Sequence, residues 1–445
     1  MNLNNLAKFI LPETLYKHLV SSDLARRITR GTFWSIVKAI VLKGASFVQA
    51  IVLARILGIA AFGEWGILLS TVGTVGVFTS FGFNVTATKH VAEWYKTNPK
   101  RLARLLGLLQ LAALSLGGIV FLVLFLGAQP IAENVLNASQ LSQALIVVGV
   151  IVLLNGISQI YIGILSGLEK FREKAIIHTV TTPLGVLLTI VLAYYYGVMG
   201  AVFGLALTSI LTVAVSVVWV YTLFKKLGIS LYKKQPLEEW RGIRDFALPT
   251  TITNALVLIA VYAAHIALIR QPGGYEEMGA YQAANQWRGM VSFLPTQMLS
   301  AYLPIISSLL DTNNEQIIKL QHKTLITVLS LTLAICIPVM FLSPWIMSLY
   351  GQDFMAFWPI LVFLVIIAVF DIGHIVFHKT AVAHGYVWVL SMSNLAIVGA
   401  AVLGIFWLIP EYLGVGLALT LILGYAGRMA IEYLIFRYKT NSLKV

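Results

Sequence analysis

Apolar segments of about twenty residues recur from one end of this chain to the other, and they constrain its fold more than any motif does. A segment of that length crosses the ~30 Å hydrocarbon core of a bilayer as one α-helix. Only 11% of the residues are charged and the mean hydropathy is +0.87, whereas a soluble domain carries about 25% charged residues. The sequence therefore predicts an all-α polytopic membrane protein.

We predict twelve membrane-spanning helices, six on each side of a polar connection at 225–245. The predicted spans are 33–57, 66–88, 105–127, 142–166, 177–197, 199–224, 246–269, 281–306, 323–343, 357–378, 386–409 and 413–436. The N-terminal half is thus 33–224 and the C-terminal half 246–436, flanked by an N-terminal arm (1–32) and a tail (437–445). No connection is long enough to form a soluble domain.

Basic residues concentrate on alternate connections. The arm, 89–104, 168–176, 225–244, 310–323 and the tail together hold 24 of the 31 lysines and arginines. The intervening connections hold none except Arg270, at the edge of a span. The positive-inside rule places both termini in the cytoplasm of a multi-pass cell-membrane protein. The net charge of +13 is then topological, with anionic membrane lipids rather than nucleic acid as its partner.

The two halves carry a weak internal repeat. Its members are Arg55-x-x-Gly58 with Gly63-x-Trp65 in the first half, and Arg270-x-x-Gly273 with Gly279-x-Tyr281 in the second. Because each half has an even number of spans, the halves share one orientation, and a substrate site commonly lies between such repeats. The alternative is a chance likeness of two apolar segments. We expect Trp65 at interfacial depth.

Several motifs resemble those of a known family. They are RGTFW (30–34), LARILGIAAFGEWG (53–66), FGFNVTATKHVAEW (81–94), SGLEKFREKA (166–175) and GVMGAVFGLAL (197–207). In this order and spacing the chain resembles the Wzx-type polysaccharide-biosynthesis flippases of the multidrug/oligosaccharidyl-lipid/polysaccharide exporter superfamily. The motif match covers the first half of the chain; the second half agrees in span count and topology.

The resemblance implies two six-helix bundles around a cationic central cavity. It also implies a function: a polyprenyl-(pyro)phosphate-linked oligosaccharide moves from the cytoplasmic to the outer leaflet by alternating access. The polymerase and glycosyltransferases of the same pathway are then candidate partners. The resemblance does not identify the sugar.

Two basic residues lie deep in the predicted spans, where a charge costs at least ~2.5–3.5 kcal/mol. Lys43 is ten residues into the first span, and Arg288 shares one helix face with Gln282 and Asn285. We interpret these four as ligands of the substrate's phosphate and sugar, because fixed cations replace lost hydration of an anion. The alternative is that each cation binds a helix carbonyl.

The remaining candidate ligands are less deeply placed. Lys38 and Gln49 share a helix face, and Arg55 and Arg270 end their spans on the outer side. For the two arginines, snorkelling to the outer head groups is the alternative to a role in substrate binding.

One acidic residue, Asp371, lies deep, with His374 one turn away on the same face. A buried carboxylate beside a histidine can bind and release a proton, so we expect proton or sodium coupling at this pair. A static ion pair with a neighbour such as Lys379 is the alternative.

Two other functions compete with a flippase. A cation-coupled drug antiporter of the same superfamily would need an acidic cavity, yet the deep charges are mainly basic. An enzyme would need a catalytic cluster on a sizeable outer loop, and the outer connections are too short. We expect neither a metal nor an organic cofactor, since no zinc spacing, phosphate loop or nucleophile motif occurs.

Overall fold

All regular structure in the computed structural model is helical within the residues it describes, which are 23–80, 82–228, 240–299, 302–309, 314–384 and 392–442. This confirms the all-α prediction. The predicted features that fall on 1–22, 229–239 and 443–445, including much of the arm and the linker, lie outside the described residues.

The N-terminal half begins with a helix that starts at Asp23, ten residues before the first predicted span. Its helices are α1 (Asp23–Leu57), α2 (Ile59–Ser80), α3 (Phe83–Thr97), α4 (Pro99–Pro130), α5 (Ser142–Gly167) and α6 (Phe171–Leu227). A π-helical turn (Ile131–Val135) and a 3-10 turn (Ser139–Leu141) join α4 to α5.

The C-terminal half is more interrupted. Its helices are α7 (Trp240–Ile269), α8 (Gly274–Val291), α9 (Phe293–Met298), α10 (Tyr302–Leu309), α11 (Asn314–Phe341), α12 (Ser343–Ser348), α13 (Trp358–Ala383), α14 (Leu395–Leu403) and α15 (Ile409–Ser442). A 3-10 helix (Gln352–Phe357) precedes α13, and a π-helical segment (Gly404–Leu408) joins α14 to α15.

Two long helical stretches fold back on themselves, one in each half. In α6 the helix breaks at Gly197, which has φ 59°, and Gly204 and Gly185 then pack against Thr189 and Thr208. In α15 it breaks at Leu413, with φ 51°, and Gly404 packs against Thr420. Each stretch is therefore a hairpin that crosses twice, so the eight apolar helical stretches among the described residues contain more than eight crossings.

The turn after α1 differs from its prediction. Gly58 alone, with φ +78°, separates α1 from α2, so most of the predicted connection 58–65 is helical. Gly273, with φ +71°, begins α8 in the same way. Trp65 is 4% exposed and packs inside the protein, because α2 begins six residues before it and buries this face. Its interfacial depth stays a prediction.

We call the end of the molecule that carries the basic connections the inner end, and the opposite end the outer end. Three groups of buried apolar residues fill the interior. The largest contains residues of both halves, among them Leu53, Phe62, Met278 and Phe354. Each of the other two belongs to one half: one surrounds Leu105 and the other surrounds Val376. The halves thus share one core towards the outer end and have separate cores towards the inner end.

Candidate functional site

The outer end is held together by two arginines related by the sequence repeat. Arg55, at the end of α1, donates a hydrogen bond from Nε to the carbonyl of Leu349 at 2.7 Å. Arg270, just after α7, donates from Nη2 to the carbonyl of Asn134 at 2.6 Å. Each arginine belongs to one half and its acceptor to the other half. The acceptors also occupy equivalent places, because both lie in the outer connection between the third and fourth predicted spans of their half.

Between these two contacts the helices α2 and α8 touch through glycine. A Cβ built on Gly63 would lie 3.0 Å from the backbone N of Gly279, and one on Gly279 would lie 3.2 Å from the N of Gly63. Real Cβ atoms rarely approach backbone this closely, so both positions require glycine for the contact to form. The hydroxyl of Tyr275 adds a hydrogen bond of 2.7 Å to the Leu136 carbonyl across the same boundary.

Towards the inner end a cavity of about 550 Å³ opens between the halves. Helix α1 contributes most of its wall, the start of α6 contributes a second part, and α8 and α9 close it from the C-terminal half. The lining residues are Trp34, Lys38, Ala39, Leu42, Lys43, Ser46, Phe171, Lys174, Gln286, Phe293 and Gln297.

The lining has the chemistry of an anion site. Lys38, Lys43 and Lys174 are positively charged, the two glutamines are amide donors, and none of the lining residues is acidic. Lys174 lies in the first turn of α6 and donates to Ser166 Oγ at 2.8 Å. The aromatic rings of Trp34, Phe171 and Phe293 complete the wall, so a charged group and a flat sugar or apolar group can both be accommodated.

Lys43 stands where the halves meet. Its Nζ lies 3.0 Å from the position of a Cβ on Gly289 of α8, and Phe47, one turn further along α1, packs edge-on against Trp287 with ring centroids 5.1 Å apart. The side chain is exposed. It is 14 residues from the outer end of α1, or about 21 Å along the helix axis. Against a hydrocarbon core of ~30 Å, the cation therefore lies about two-thirds of the way from the outer end.

The other predicted ligands do not gather at this cavity. Arg55 and Arg270 bind carbonyls at the outer end, and Gln282 packs against Gly66 of α2. Gln49 is half-buried in α1, outside the residues that line the cavity. Of the residues that we predicted to bind substrate, the structure brings together Lys38 and Lys43.

Arg288 points into the C-terminal half. Its guanidinium carbon lies 5.8 Å from the ring centroid of Tyr425 on α15, and Asp371 on α13 lies within electrostatic range of it. Asn285, one turn earlier on α8, has a buried Oδ1 without a hydrogen-bond partner among the described residues. Gln286, which follows Asn285 on α8, lines the cavity instead.

His374 pairs with a carboxylate other than Asp371. Its Nδ1 lies 2.8 and 2.7 Å from the two carboxylate oxygens of Glu432 on α15, and both side chains are buried. Asp371 instead lies near the arginines Arg288 and Arg428. Lys379, the partner we considered for Asp371, donates to the carbonyl of Leu299.

Comparisons with known proteins identify the family of this chain. The family model described as "Polysaccharide biosynthesis protein" matches residues 28–310, which is more than half of the chain. The chain belongs to this polysaccharide biosynthesis family. Among curated proteins, the stage V sporulation protein B of Bacillus subtilis (strain 168) is 22% identical over 348 residues, covering 73% of this chain and 67% of that protein.

Solved transporters share the fold of this family member. An inward-facing transporter of the MATE family, in the MOP superfamily, matches with a TM-score of 0.78 at 14% identity, covering 92% of this chain and 98% of that one. The lipid II flippase MurJ in an inward closed conformation gives 0.73 at 12% identity, over 91% and 87%. An outward-facing MATE transporter gives 0.64 at 16% identity, over 96% and 98%. These matches confirm the predicted fold, and the family model confirms the predicted polysaccharide-biosynthesis family.

Sequence reasoning missed two important residues of this polysaccharide biosynthesis protein. Lys174 was counted with the basic connection 168–176, although α6 begins at Phe171 and so places it in the cavity wall. Glu432 is not among the predicted site residues, because it lies near one end of its predicted span, 413–436. The available signal was its spacing of four residues from Arg428, which puts both on one helix face.

Proposed function

We propose that this chain is a flippase that moves a polyprenyl-(pyro)phosphate-linked oligosaccharide from the cytoplasmic to the outer leaflet by alternating access. The observation that carries the proposal is the cavity between the halves, which holds three lysines and no acidic side chain among its lining residues. A phosphate or pyrophosphate is the charged group of such a lipid, and lysines replace part of the hydration that it loses inside a membrane.

The state of the molecule fits the first step of this cycle. The halves are joined at the outer end and separated by the cavity towards the inner end, which we assign to the cytoplasm by the positive-inside rule. The cavity then receives its substrate from the leaflet in which lipid-linked sugars are loaded. Release requires the outer contacts to open and the cavity to close, which is the exchange that alternating access demands.

Transport is supported over catalysis by the comparisons, since the matched solved structures named above are transporters and a flippase. The second candidate, a cation-coupled antiporter of drugs or other small molecules, is favoured by the high TM-score to a multidrug transporter. The cavity argues against it, because a cationic drug would be repelled by three lysines.

The test uses the purified chain in liposomes with three fluorescent probes: a polyprenyl pyrophosphate carrying a short glycan, its neutral polyprenol-linked counterpart, and a cationic dye. We expect the pyrophosphate probe alone to be translocated. Replacing Lys38, Lys43 and Lys174 together by alanine should abolish this, since each charge-assisted contact is worth about 1.5–3 kcal/mol. The exposed Lys225→Ala is the matched control and should behave as wild type. Transport of the dye in preference to the pyrophosphate probe would favour the antiporter.

A further inference from the structure

A buried polar cluster in the C-terminal half lies outside the residues that line the cavity. At its centre, the carboxylate of Glu432 on α15 has a side chain that is 1% exposed. It meets His374 Nδ1 at 2.7 Å, and Ser393, which precedes α14, donates a hydrogen bond to its Oε1 at 2.8 Å. Arg428 Nε lies 3.7 Å from the same oxygen. One carboxylate thus joins α13, α15 and the segment before α14.

The charges of the surrounding network balance only when the histidines are neutral. Glu432 faces Arg428, and Asp371 on α13 lies within electrostatic range of both Arg428 and Arg288. Two acids therefore oppose two arginines. A proton taken up by the pair of Glu432 and His374 adds one positive charge in a region of low dielectric, where unbalanced charge has its largest effect on structure.

A second histidine extends the cluster towards the inner end. His378 is one helical turn from His374, with ring centroids 5.3 Å apart, and its Nδ1 is buried without a hydrogen-bond partner among the described residues. Imidazole can both accept and donate a proton near neutral pH. The two rings thus supply successive proton acceptors between Glu432 and the inner end of α13, which ends at Ala383.

We propose that Glu432 and His374 form a proton-binding site, reached from the inner end through His378, whose occupancy biases the exchange between inward-facing and outward-facing forms. The inference rests on the proposed transport function for its use, but the site itself is assigned from the side-chain geometry. It moves the coupling role that we had predicted for Asp371 to Glu432.

The network also gives the site a mechanical link to the cavity. Asp371 interacts electrostatically with both Arg428 and Arg288. Arg288 belongs to α8, the helix whose Gln286 lines the cavity and whose Gly289 adjoins Lys43. A proton bound by Glu432 or His374 weakens the attraction between Glu432 and Arg428. Arg428 then interacts more strongly with Asp371, and the attraction between Asp371 and Arg288 changes as a result. An ion can drive a conformational exchange only if it interacts differently with the two forms. Helix α8, which also carries Gly279 at the outer contact, moves in that exchange.

The groups that face the pair limit what else could explain a pH response. Arg428 on α15 and His378 on α13 lie next to the pair. Further out, Asp371 interacts electrostatically with Arg428, and Lys379 with His378. Helix α11 packs against α13 and carries Gln321, which is buried, and His322 and Lys323, which are exposed. On α7, His265 is buried beside Tyr281 and Arg288. His322 therefore serves as a control titratable group in the same half.

The experiment follows the conformation directly, without substrate. In a Cys336→Ser background, a cysteine at the cavity residue Ser46 is labelled with a membrane-impermeant maleimide added to the inner face of inside-out vesicles. Labelling of a cysteine at the exposed Lys225 corrects for the pH dependence of the thiol itself. We expect the normalised labelling to change about tenfold between about pH 5 and pH 8, the result of a tenfold difference in proton affinity between the two forms.

The variants separate proton binding from simple support of the bundle. Glu432→Gln and His374→Asn should abolish the pH response, whereas His322→Asn should keep it. A merely structural pair predicts labelling that is altered at every pH with the pH response retained, and that result in Glu432→Gln would overturn the proposal. Should Glu432→Gln fail to reach the membrane, Ser393→Ala provides the test. It removes a donor to the carboxylate without changing charge, and must move the midpoint to higher pH.

The two proposals fail in different ways. If the wild-type chain shows the pH response but does not translocate the pyrophosphate probe, the proton site stands and the flippase assignment is wrong. If it translocates the probe while the labelling is independent of pH, the flippase assignment stands and the proton site is wrong.

Discussion

The outer and inner ends of this molecule use basic side chains for opposite purposes. At the outer end, Arg55 and Arg270 lie against the partner half, and each donates to a backbone carbonyl there. At the inner end, Lys38, Lys43 and Lys174 line a cavity with no acidic side chain among the described residues of its wall. A guanidinium that finds a carbonyl holds two halves together, whereas an ammonium that faces a cavity is ready for an anion. The difference teaches that membrane-embedded charge is informative only once its acceptor is known.

The two ends also differ in symmetry. The outer contacts follow the sequence repeat, because each arginine stands three residues before a glycine with positive φ, Gly58 or Gly273. The cavity does not follow it: all three lysines belong to the N-terminal half, and the C-terminal half contributes Gln286, Phe293 and Gln297. The outer contacts join equivalent parts of the two halves and can therefore be symmetric. A binding site for an asymmetric lipid does not need to be symmetric. The C-terminal half instead carries the buried charge network.

The largest effect is expected from a substitution that places an acidic side chain in the cavity wall, as in a cation-binding site. Lys43→Glu places a carboxylate where the halves meet, and like-charge contact with a phosphate costs several kcal/mol. Translocation of the pyrophosphate probe should fall by at least about a hundredfold. Lys225→Glu, with the same charge change on an exposed surface, should alter it less than about twofold. Equal effects of the two substitutions would show that the total charge of the chain, rather than the cavity, is what matters.

Next in size is the glycine contact of the outer end. Gly63→Val and Gly279→Val each insert a side chain where the backbones of α2 and α8 meet, and overpacking of this kind costs about 1–3 kcal/mol or more. The outer end should then open. We expect a cysteine at the buried Ala280, in the Cys336→Ser background, to be labelled from the outer face about tenfold more in these variants. A cysteine at the exposed Glu411 normalises the measurement. Gly44→Val tests the comparison, since a Cβ at Gly44 meets nothing within 4 Å; opening by that variant would show that the contact is not the cause.

These outcomes bear on what the sequence could predict. The alternation of apolar spans and basic connections determines the membrane class and the hairpins, because a helix in lipid must satisfy its backbone internally and must be long enough to cross. The repeat around Arg55 and Arg270 could be recognised in the sequence because glycine is needed where the chain turns sharply. The direction of Arg288 was not, because a stripe of polar residues shows that a helix face meets protein or water without showing which.

The partner of His374 was beyond reach for a related reason. Glu432 is 58 residues away along the chain and meets the histidine only because α13 and α15 pack together. Asp371 was the nearer acid in sequence, and spacing along one helix favoured it. Helix periodicity predicts contacts within a helix, but charges in the core of a bundle are paired between helices.

A smaller effect is expected from the two outer arginines. Each donates one hydrogen bond to a carbonyl at an exposed site, so each should contribute about 1 kcal/mol to the closed outer end. Arg55→Gln and Arg270→Gln should raise the labelling at residue 280 about fivefold each, and the double variant should approach the product of the two. Arg→Lys at either position keeps a donor and a charge and should be milder. If labelling differs widely between the two single variants, the two arginines do not contribute equally to closing the outer end, contrary to what their equivalent contacts predict.

The smallest effect concerns a contact between the two halves, where Thr71 on α2 meets Tyr262 on α7 with 2.8 Å between their hydroxyl oxygens. Thr71 Oγ1 also lies 2.9 Å from the Ile67 carbonyl, to which it donates, so the tyrosine is the donor in the contact between the halves. The two possible deletions are therefore unequal. Thr71→Val leaves the tyrosine hydroxyl without its acceptor in a half-buried place, where water replaces part of the lost bond, so the cost should be about 0.5–1 kcal/mol. Tyr262→Phe removes the donor and leaves Thr71 satisfied by its own helix, so the cost should be below about 0.5 kcal/mol. Labelling at residue 280 should thus rise about threefold or more in Thr71→Val and hardly at all in Tyr262→Phe. The reverse order would mean that Thr71 is the donor across the boundary and that the helix carbonyl is a secondary acceptor.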